Sequence, residues 1–195
     1  SILFTQSLSV AIYAGGGTTL GQYLYAIIQN HSKYQTDIAA FGIVVDSDRK
    51  HPEKVAKLYY DCFQEQFPNF TQQAGNVNVD SSPHTGIYVL PDNINQGVLD
   101  TLLCSCGEIA YPEYMNRANT YIASFSNQER KDLEWSPFDH EKALIATVVS
   151  VLMPGQTNTS SIARNHWVST QTNDRVPAFT KFVEFIQQLL DLQID

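Results

Sequence analysis

The chain has 195 residues and a net charge of −8, and 43% of its residues are hydrophobic and 16% charged. This length suits one domain of ordinary size, and so large an apolar share is enough for a packed core, which excludes a disordered chain. The 20 acidic against 12 basic side chains exclude a basic surface covering the molecule. Any chemistry on nucleic acid or phosphate therefore needs a local site.

The cysteines and the apolar runs indicate in which cellular compartment the protein lies. Three cysteines, at positions 62, 104 and 106, give no paired spacing for a disulfide framework. No apolar run reaches the roughly 18 residues that a membrane span needs. The first basic residue is Lys33, so the apolar start of the chain lacks the charged leader of a signal peptide. The sequence predicts a cytoplasmic protein that makes no use of a membrane, and it leaves the oligomeric state open.

The predicted elements alternate between strands and helices. The apolar run 38–45 is the strongest strand, and its lack of polar positions predicts a strand covered on both faces. Each predicted helix carries apolar residues at helical spacing. In chain order, the pattern predicts a strand over 9–14, a helix over 18–29, a strand over 38–45, a helix over 52–67, a strand over 86–90, and helices over 96–106, 111–125, 136–153 and 177–192.

Strands followed by crossover helices are typical of an α/β fold with a mainly parallel central sheet and helices on both of its faces. We expect one such domain over residues 1–195. In open sheets of this kind, ligands bind at the carboxyl ends of the strands. The residues just after each predicted strand are therefore the places to look for a site.

A glycine-rich turn follows the first predicted strand. Its residues are Gly15, Gly16, Gly17 and Thr18. Glycines let the backbone approach a ligand closely, and a helix N-terminus favours an anion, so the turn is a candidate phosphate-binding site. A tight turn without a ligand is the alternative. The lysine of a Walker motif does not follow these glycines.

Two carboxylates follow the second predicted strand. Asp46 and Asp48 are separated by Ser47, so both can reach one cation. Carboxylate oxygens suit Mg²⁺ or Mn²⁺, and the end of a buried strand is where such folds bind ligands. The alternative is a polar loop in which one of these aspartates caps the next helix.

Polar residues also follow the third predicted strand. Asp92 and Asn93 form a Pro-Asp-Asn sequence, and Asp100 lies in the next predicted helix. These residues are further candidates for the same site. Asp92 also fits a plain turn residue, and Asp100 also fits a solvated helix face.

These segments together resemble a Toprim-like family of uncharacterised prokaryotic proteins, similar to the Toprim domain of overcoming-lysogenisation-defect nucleases. The resemblance covers about residues 9–190. The segments that carry it are Gly15-Gly16, the run GIVVDSD over 42–48, LPDN over 90–93, Gly97-Val98-Leu99-Asp100, and Asp139-His140-Glu141-Lys142.

The resemblance implies a three-layer Rossmann-like domain and Mg²⁺- or Mn²⁺-dependent phosphoryl transfer of the nuclease or nucleotidyl-transfer type. Asp46, Asp48 and Asp100 would be the metal ligands, and Lys142 would be catalytic by neutralising charge in the transition state. An exposed ion pair with Asp139 is the other interpretation of Lys142.

Two departures from the family separate the functional hypotheses. The family opens with a strand that carries a glutamate, whereas no acidic residue precedes Asp37 here, so we expect the domain to lack that first strand or its glutamate. Asp100 stands where the family more often has Glu. The first hypothesis is an Mg²⁺-dependent nuclease-type phosphodiesterase acting on nucleic acid. The alternatives are a degenerate, non-catalytic module that binds a nucleotide or a protein partner, and a phosphate-binding protein that uses the glycine-rich turn.

Overall fold

The computed structural model of the chain describes residues 9–14, 26 and 38–192. The chain splits into two compact units, which are Ser1–Asp37 and Ile38–Asp195. In the first unit, residues 9–14 belong to no strand and all six are exposed, so the strand predicted there is wrong. An apolar run forms a strand only where a neighbouring strand accepts its backbone hydrogen bonds, and the local pattern cannot supply that neighbour. Of the helix predicted over 18–29, only Ala26 is described, and it is helical.

The described part of the second unit contains a small mixed sheet. Its strands are β1 (Ala40–Asp46), β2 (Val77–Asn78) and β3 (His84–Leu90), in the order β1-β3-β2. β1 and β3 are parallel along their full lengths, while β2 pairs with β3 antiparallel. The predicted α/β class is confirmed. The described sheet is mixed rather than mainly parallel, because β2 arises from two residues of a polar segment with no strand pattern.

β3, rather than β1, is the buried strand. It lies between its two neighbours, and every residue after His84 in it is buried. β1 lies at the edge of the described sheet, and Val44 there is 40% exposed. The prediction that the 38–45 strand is covered on both faces is therefore wrong for the described structure. An apolar run records a preference for burial, but strand order decides which strand has neighbours on both sides.

Eight helices follow in the described residues of the second unit. Each predicted helix of this unit exists, with ends that differ by a few residues, and three short polar helices were not predicted because they lack an apolar stripe. The helices are α1 (Pro52–Phe63), α2 (Leu99–Ala110), α3 (Pro112–Ala123), α4 (Asn127–Asp132), α5 (Asp139–Leu152), α6 (Asn158–Arg164), α7 (Thr170–Arg175) and α8 (Pro177–Leu189).

A helix packs against each face of the sheet. On one face, the Phe41 ring of β1 lies 5.1 Å from the Phe63 ring of α1, centroid to centroid. On the other face, a Cβ added to Gly42 would collide with Leu189 of α8. Successive residues of a strand point to opposite faces, so these two contacts place α1 and α8 on opposite sides of β1.

A second core lies among the helices. Trp167, between α6 and α7, is fully buried in a cluster with residues of α2, α3 and α5. This cluster fixes α5 against α2, and the first turns of both helices contribute to the site described below. Among the described residues, no helix is both long enough and apolar enough to span a bilayer.

Candidate functional site

The loops that leave β1 and β3 are joined where the two parallel strands end. Ser47 is 1% exposed, and its Oγ accepts a hydrogen bond from the Gly97 N–H at 2.8 Å. The Asp48 N–H donates to the Gly97 carbonyl at 2.9 Å. Asp48 itself has a φ of 51°, in the left-handed region that aspartate tolerates better than most residues. These bonds hold both aspartates of the Asp-Ser-Asp sequence beside the start of α2.

Asp46 caps α2 from a distance. Its Oδ1 accepts a hydrogen bond from the Leu99 N–H at 2.7 Å, across 53 positions of the chain. The residue at the N-cap of α2 is Val98, whose side chain has no acceptor. Capping was the alternative interpretation of these aspartates, and Asp46 does cap a helix, although that helix is α2 rather than the next one along the chain.

The charges around Asp46 show which side chains share its surroundings. Partial loss of hydration is the largest influence on the pKa of Asp46 and raises it, while the hydrogen bond from Leu99 opposes that rise. The negative charges of Asp48 and Asp100 raise the pKa of Asp46 further, and the positive charge of Lys142 lowers it. The structure therefore brings the three predicted metal ligands and the predicted catalytic lysine into one electrostatic neighbourhood.

These carboxylates meet some of the requirements of a metal site. Their oxygens are the donors that Mg²⁺ and Mn²⁺ prefer, and their mutual repulsion is what a cation would relieve. Asp100 is half-buried in the first turn of α2. However, no three His, Cys, Asp or Glu side chains of the described residues converge closely enough to hold a metal ion. The donor type and charge fit a divalent cation, and the convergence does not.

A cleft of about 380 Å³ opens beside Asp48. Arg49 and Lys50 continue the Asp-Ser-Asp loop into it, and the turn before α5 forms its other wall. Sequence reasoning missed these two basic residues as site residues, although their position directly after Asp48 was the available signal. The residues that line the cleft are Asp48, Arg49, Lys50, Val98, Ser136, Pro137, Phe138 and Lys142.

Lys142 forms the ion pair that was its alternative interpretation. Its Nζ lies 3.0 Å from Oδ1 of Asp139, and its side chain is 56% exposed. The other carboxylate oxygen of Asp139 accepts a hydrogen bond from the Ser136 N–H at 2.6 Å, which closes the turn before α5. The hydrogen bond to Asp139 raises the pKa of Lys142, and the charges of Asp100 and Asp48 add to this rise. Lys142 is thus held at the cleft with its charge already partly balanced.

Asp92 and Asn93 build the turn that follows β3. Oδ1 of Asp92 accepts hydrogen bonds from the Ile94 and Asn95 N–H groups, at 3.0 and 2.7 Å. Oδ1 of Asn93 accepts from the Val89 N–H at 2.7 Å, and the φ of Asn93 is 67°. The two side chains thereby shape the loop that carries Gly97 to Ser47. The glycine-rich turn Gly15–Thr18 lies outside the described residues.

The two cysteines of α2 are packing residues. Cys104 and Cys106 are 9% and 1% exposed. Burial raises the pKa of the Cys104 thiol to about 12 and that of Cys106 to about 11. Both thiols therefore stay protonated at neutral pH, which makes them poor nucleophiles and poor metal ligands.

Comparison with known proteins assigns the chain to a family. A family model described as "Protein of unknown function (DUF3226)" matches residues 3–191. The match covers nearly the whole chain, and the chain belongs to this family. No curated protein and no solved structure matches it significantly.

Proposed function

We propose that this chain is a Toprim-like module that holds a phosphate-bearing ligand without cleaving it, and that Asp46, Asp48 and Asp100 draw together around a divalent cation, Mg²⁺ or Mn²⁺, when one binds. One observation carries the proposal. Asp46 is the last residue of β1, which runs parallel to β3, and Asp48 follows it into the cleft that Lys142 also lines. Ligands bind at this position in open α/β sheets.

The proposal includes a three-layer Rossmann-like arrangement with a mainly parallel sheet. Its support is the parallel pairing of β1 with β3 and the helices α1 and α8 on opposite sides of β1. A parallel pair needs a crossover connection, and α1 lies within the connection between these strands. The exposed edge of β1 is where a further parallel strand would pair.

The charges favour a cation. The negative charges of Asp48 and Asp100 both raise the pKa of Asp46, and the positive charge of Lys142 opposes them. Oδ1 of Asp46 is used by the Leu99 N–H, so this residue would offer Oδ2. Asp48 is exposed at the cleft and free to turn towards the others. A bound divalent cation would supply charge compensation for these groups and an attachment point for phosphate oxygens.

The contacts that Asp46 and Lys142 already make favour the non-catalytic form. One carboxylate oxygen of Asp46 caps α2, and the charge of Lys142 is balanced by Asp139. Charge stabilisation in a transition state needs groups that are held in place and available to the reacting phosphate. Neither Asp46 nor Lys142 is fully available to a reacting phosphate.

Cation binding can be tested by calorimetric titration with Mn²⁺. We expect weak, saturable binding by the unmodified chain and none by the variant Asp46→Asn, Asp48→Asn. Asp61→Asn is the matched control, because Asp61 is an exposed aspartate in the last turn of α1 that pairs with Lys57. Equal Mn²⁺ binding by all three proteins would refute the site, and circular dichroism shows whether the double variant remains folded.

Phosphoryl transfer is the second candidate function. Asp48 and Lys142 line one cleft, which puts a carboxylate and an ammonium within reach of one ligand. The test is cleavage of supercoiled plasmid, single-stranded DNA and RNA with Mg²⁺ or Mn²⁺. We expect little or no cleavage, because Asp46 and Lys142 are already engaged by the Leu99 N–H and by Asp139, and an unavailable general acid or base costs roughly 10²–10⁴ in rate. Robust cleavage that the Asp46→Asn, Asp48→Asn variant loses would establish the catalytic function instead.

A further inference from the structure

We infer that the cleft lined by Arg49, Lys50, Phe138 and Lys142 takes a free mononucleotide, with its phosphates on the basic side chains and its base against Phe138. The inference rests on the proposed function only for the cation that would accompany the phosphates. It names the class of ligand, which the carboxylates alone do not specify.

The size of the cleft suits a small molecule. Its volume of about 380 Å³ lies near the lower end of the ~300–1,000 Å³ that ligand sites in proteins occupy. It opens between the loop after β1 and the turn before α5, so a ligand can enter it without any movement of the helices. A cleft of this size holds one nucleotide better than a strand of several.

The charge of the cleft is opposite to that of the molecule. The chain as a whole carries −8, yet the cleft is lined by three basic residues and one acidic residue, Asp48. Asp139 already balances the charge of Lys142, so Arg49 and Lys50 give the cleft its positive charge. Arg49 and Lys50 are exposed and have no ion pair among the described residues. A cationic group left unpaired on an acidic protein is available to an anion, and guanidinium suits the geometry of phosphate oxygens.

The cleft also has apolar lining. Val98 at the start of α2 and Pro137 and Phe138 in the turn before α5 contribute it, and Phe138 is half-buried at the residue before α5. The hydrogen bonds between Ser136 and Asp139 close the turn around Phe138 and hold its backbone in place. An aromatic side chain at the cleft is a surface on which a nucleobase can stack. The cleft thus offers basic side chains for phosphate and an aromatic ring for a base.

The proposal is tested by calorimetric measurement of binding in the presence of Mg²⁺. The four probes are ATP, pyrophosphate, adenosine and a single-stranded oligonucleotide of 20 nucleotides. We expect ATP to bind at least ~10-fold more tightly than pyrophosphate or adenosine, because only ATP carries both phosphates for the basic side chains and a base for Phe138. The variant Arg49→Ala, Lys50→Ala should lose at least ~10-fold of the affinity for ATP. Lys54→Ala, an exposed lysine of α1, is the control and should bind ATP as the unmodified chain does.

A second pair of variants separates base stacking from phosphate binding. Phe138→Leu and Phe138→Ala should weaken the binding of ATP by ~3- to 10-fold and leave that of pyrophosphate unchanged. Equal losses for both probes, or tighter binding of the oligonucleotide than of ATP, would overturn the mononucleotide assignment. So would ATP binding that none of these variants changes.

The same samples titrated with Mn²⁺ alone distinguish this inference from the proposed function. Mn²⁺ binding without any ATP binding would overturn the inference and leave the cation site standing. ATP binding that needs no divalent cation, in a chain that does not bind Mn²⁺, would overturn the cation site and support the cleft assignment. Binding of neither would overturn both.

Discussion

At the scale of single residues, Asp46 links the candidate site to the stability of the fold. Its Oδ1 caps α2 by accepting the Leu99 N–H. Replacing a capping acceptor by alanine costs about 0.5–2 kcal/mol. We expect Asp46→Ala to lower the free energy of unfolding by about 1 kcal/mol and Asp46→Asn, which keeps an acceptor oxygen, to lower it less. Urea unfolding measures both, and equal losses in the two variants would contradict the capping role.

Asp92 should contribute a stability term that depends on pH. Burial would raise its pKa, but the hydrogen bonds from Asn95 and Ile94 outweigh burial, so the pKa of Asp92 lies below its ordinary value. A lowered pKa in the folded state means that the carboxylate stabilises the fold above its unfolded pKa, which is about 4. That stabilisation is lost as the pH falls through the folded pKa.

The variant Asp92→Asn isolates this term, because the amide keeps an acceptor for the turn but has no charge to titrate. Between about pH 5 and pH 2.5 we expect the unmodified chain to lose more stability than the variant does. Urea unfolding at a series of pH values gives the difference between the two proteins, to which the other carboxylates contribute equally. A difference that stays constant with pH would show that Asp92 does not titrate in this way.

At the scale of elements, α2 and the Trp167 segment meet at a glycine. A Cβ added to Gly107 would collide with the Trp167 ring and lie 3.0 Å from the sulfur of Met115. Overpacking of this kind typically costs about 1–3 kcal/mol. We expect Gly107→Ala to be destabilising by that amount, and less so when Trp167→Phe supplies room. A double-mutant cycle by urea unfolding gives the coupling, and additive effects would contradict the close contact.

The sequence predicts the elements better than their arrangement. Apolar runs and helical spacing located β1, β3 and every long helix of the second unit, because those patterns follow directly from which faces are buried. β2 and the short helices α4, α6 and α7 were missed. Their formation depends on capping side chains such as Ser126, Thr157 and Ser169, and on pairing with β3, rather than on an apolar stripe.

The candidate site was predictable to a similar extent. The rule that ligands bind at the carboxyl ends of parallel strands singles out Asp46 and Asp48 from the sequence alone, and the family resemblance adds Asp100. The rule could not show that Asp46 caps α2, since that hydrogen bond spans 53 positions. It also could not show that Arg49 and Phe138 face one cleft, because the turn before α5 reaches the site only through the packing of α5 on α2.

At the scale of the whole molecule, net charge decides which phosphate ligands the site can hold. The chain carries −8, so a long polyanion is repelled by most of the surface it would cover, while a small ligand meets only the local charges of the cleft. This difference favours a mononucleotide over a nucleic acid strand and leads to a prediction about salt.

Three basic side chains line the cleft, so a single-stranded oligonucleotide can gain at most about three phosphate contacts there. Counterion release then predicts a slope of about −2 for the logarithm of the association constant against the logarithm of salt concentration, at ~0.7 per contact. We expect fluorescence anisotropy with a labelled oligonucleotide of 20 nucleotides to show weak binding at low salt and none at ~150 mM salt. In the variant Arg49→Ala, Lys50→Ala the magnitude of the slope should fall to less than about 1. A slope steeper than about −5, unchanged in that variant, would mean that the nucleic acid contacts a different and more extended basic surface, and that the cleft is not where this chain holds phosphate.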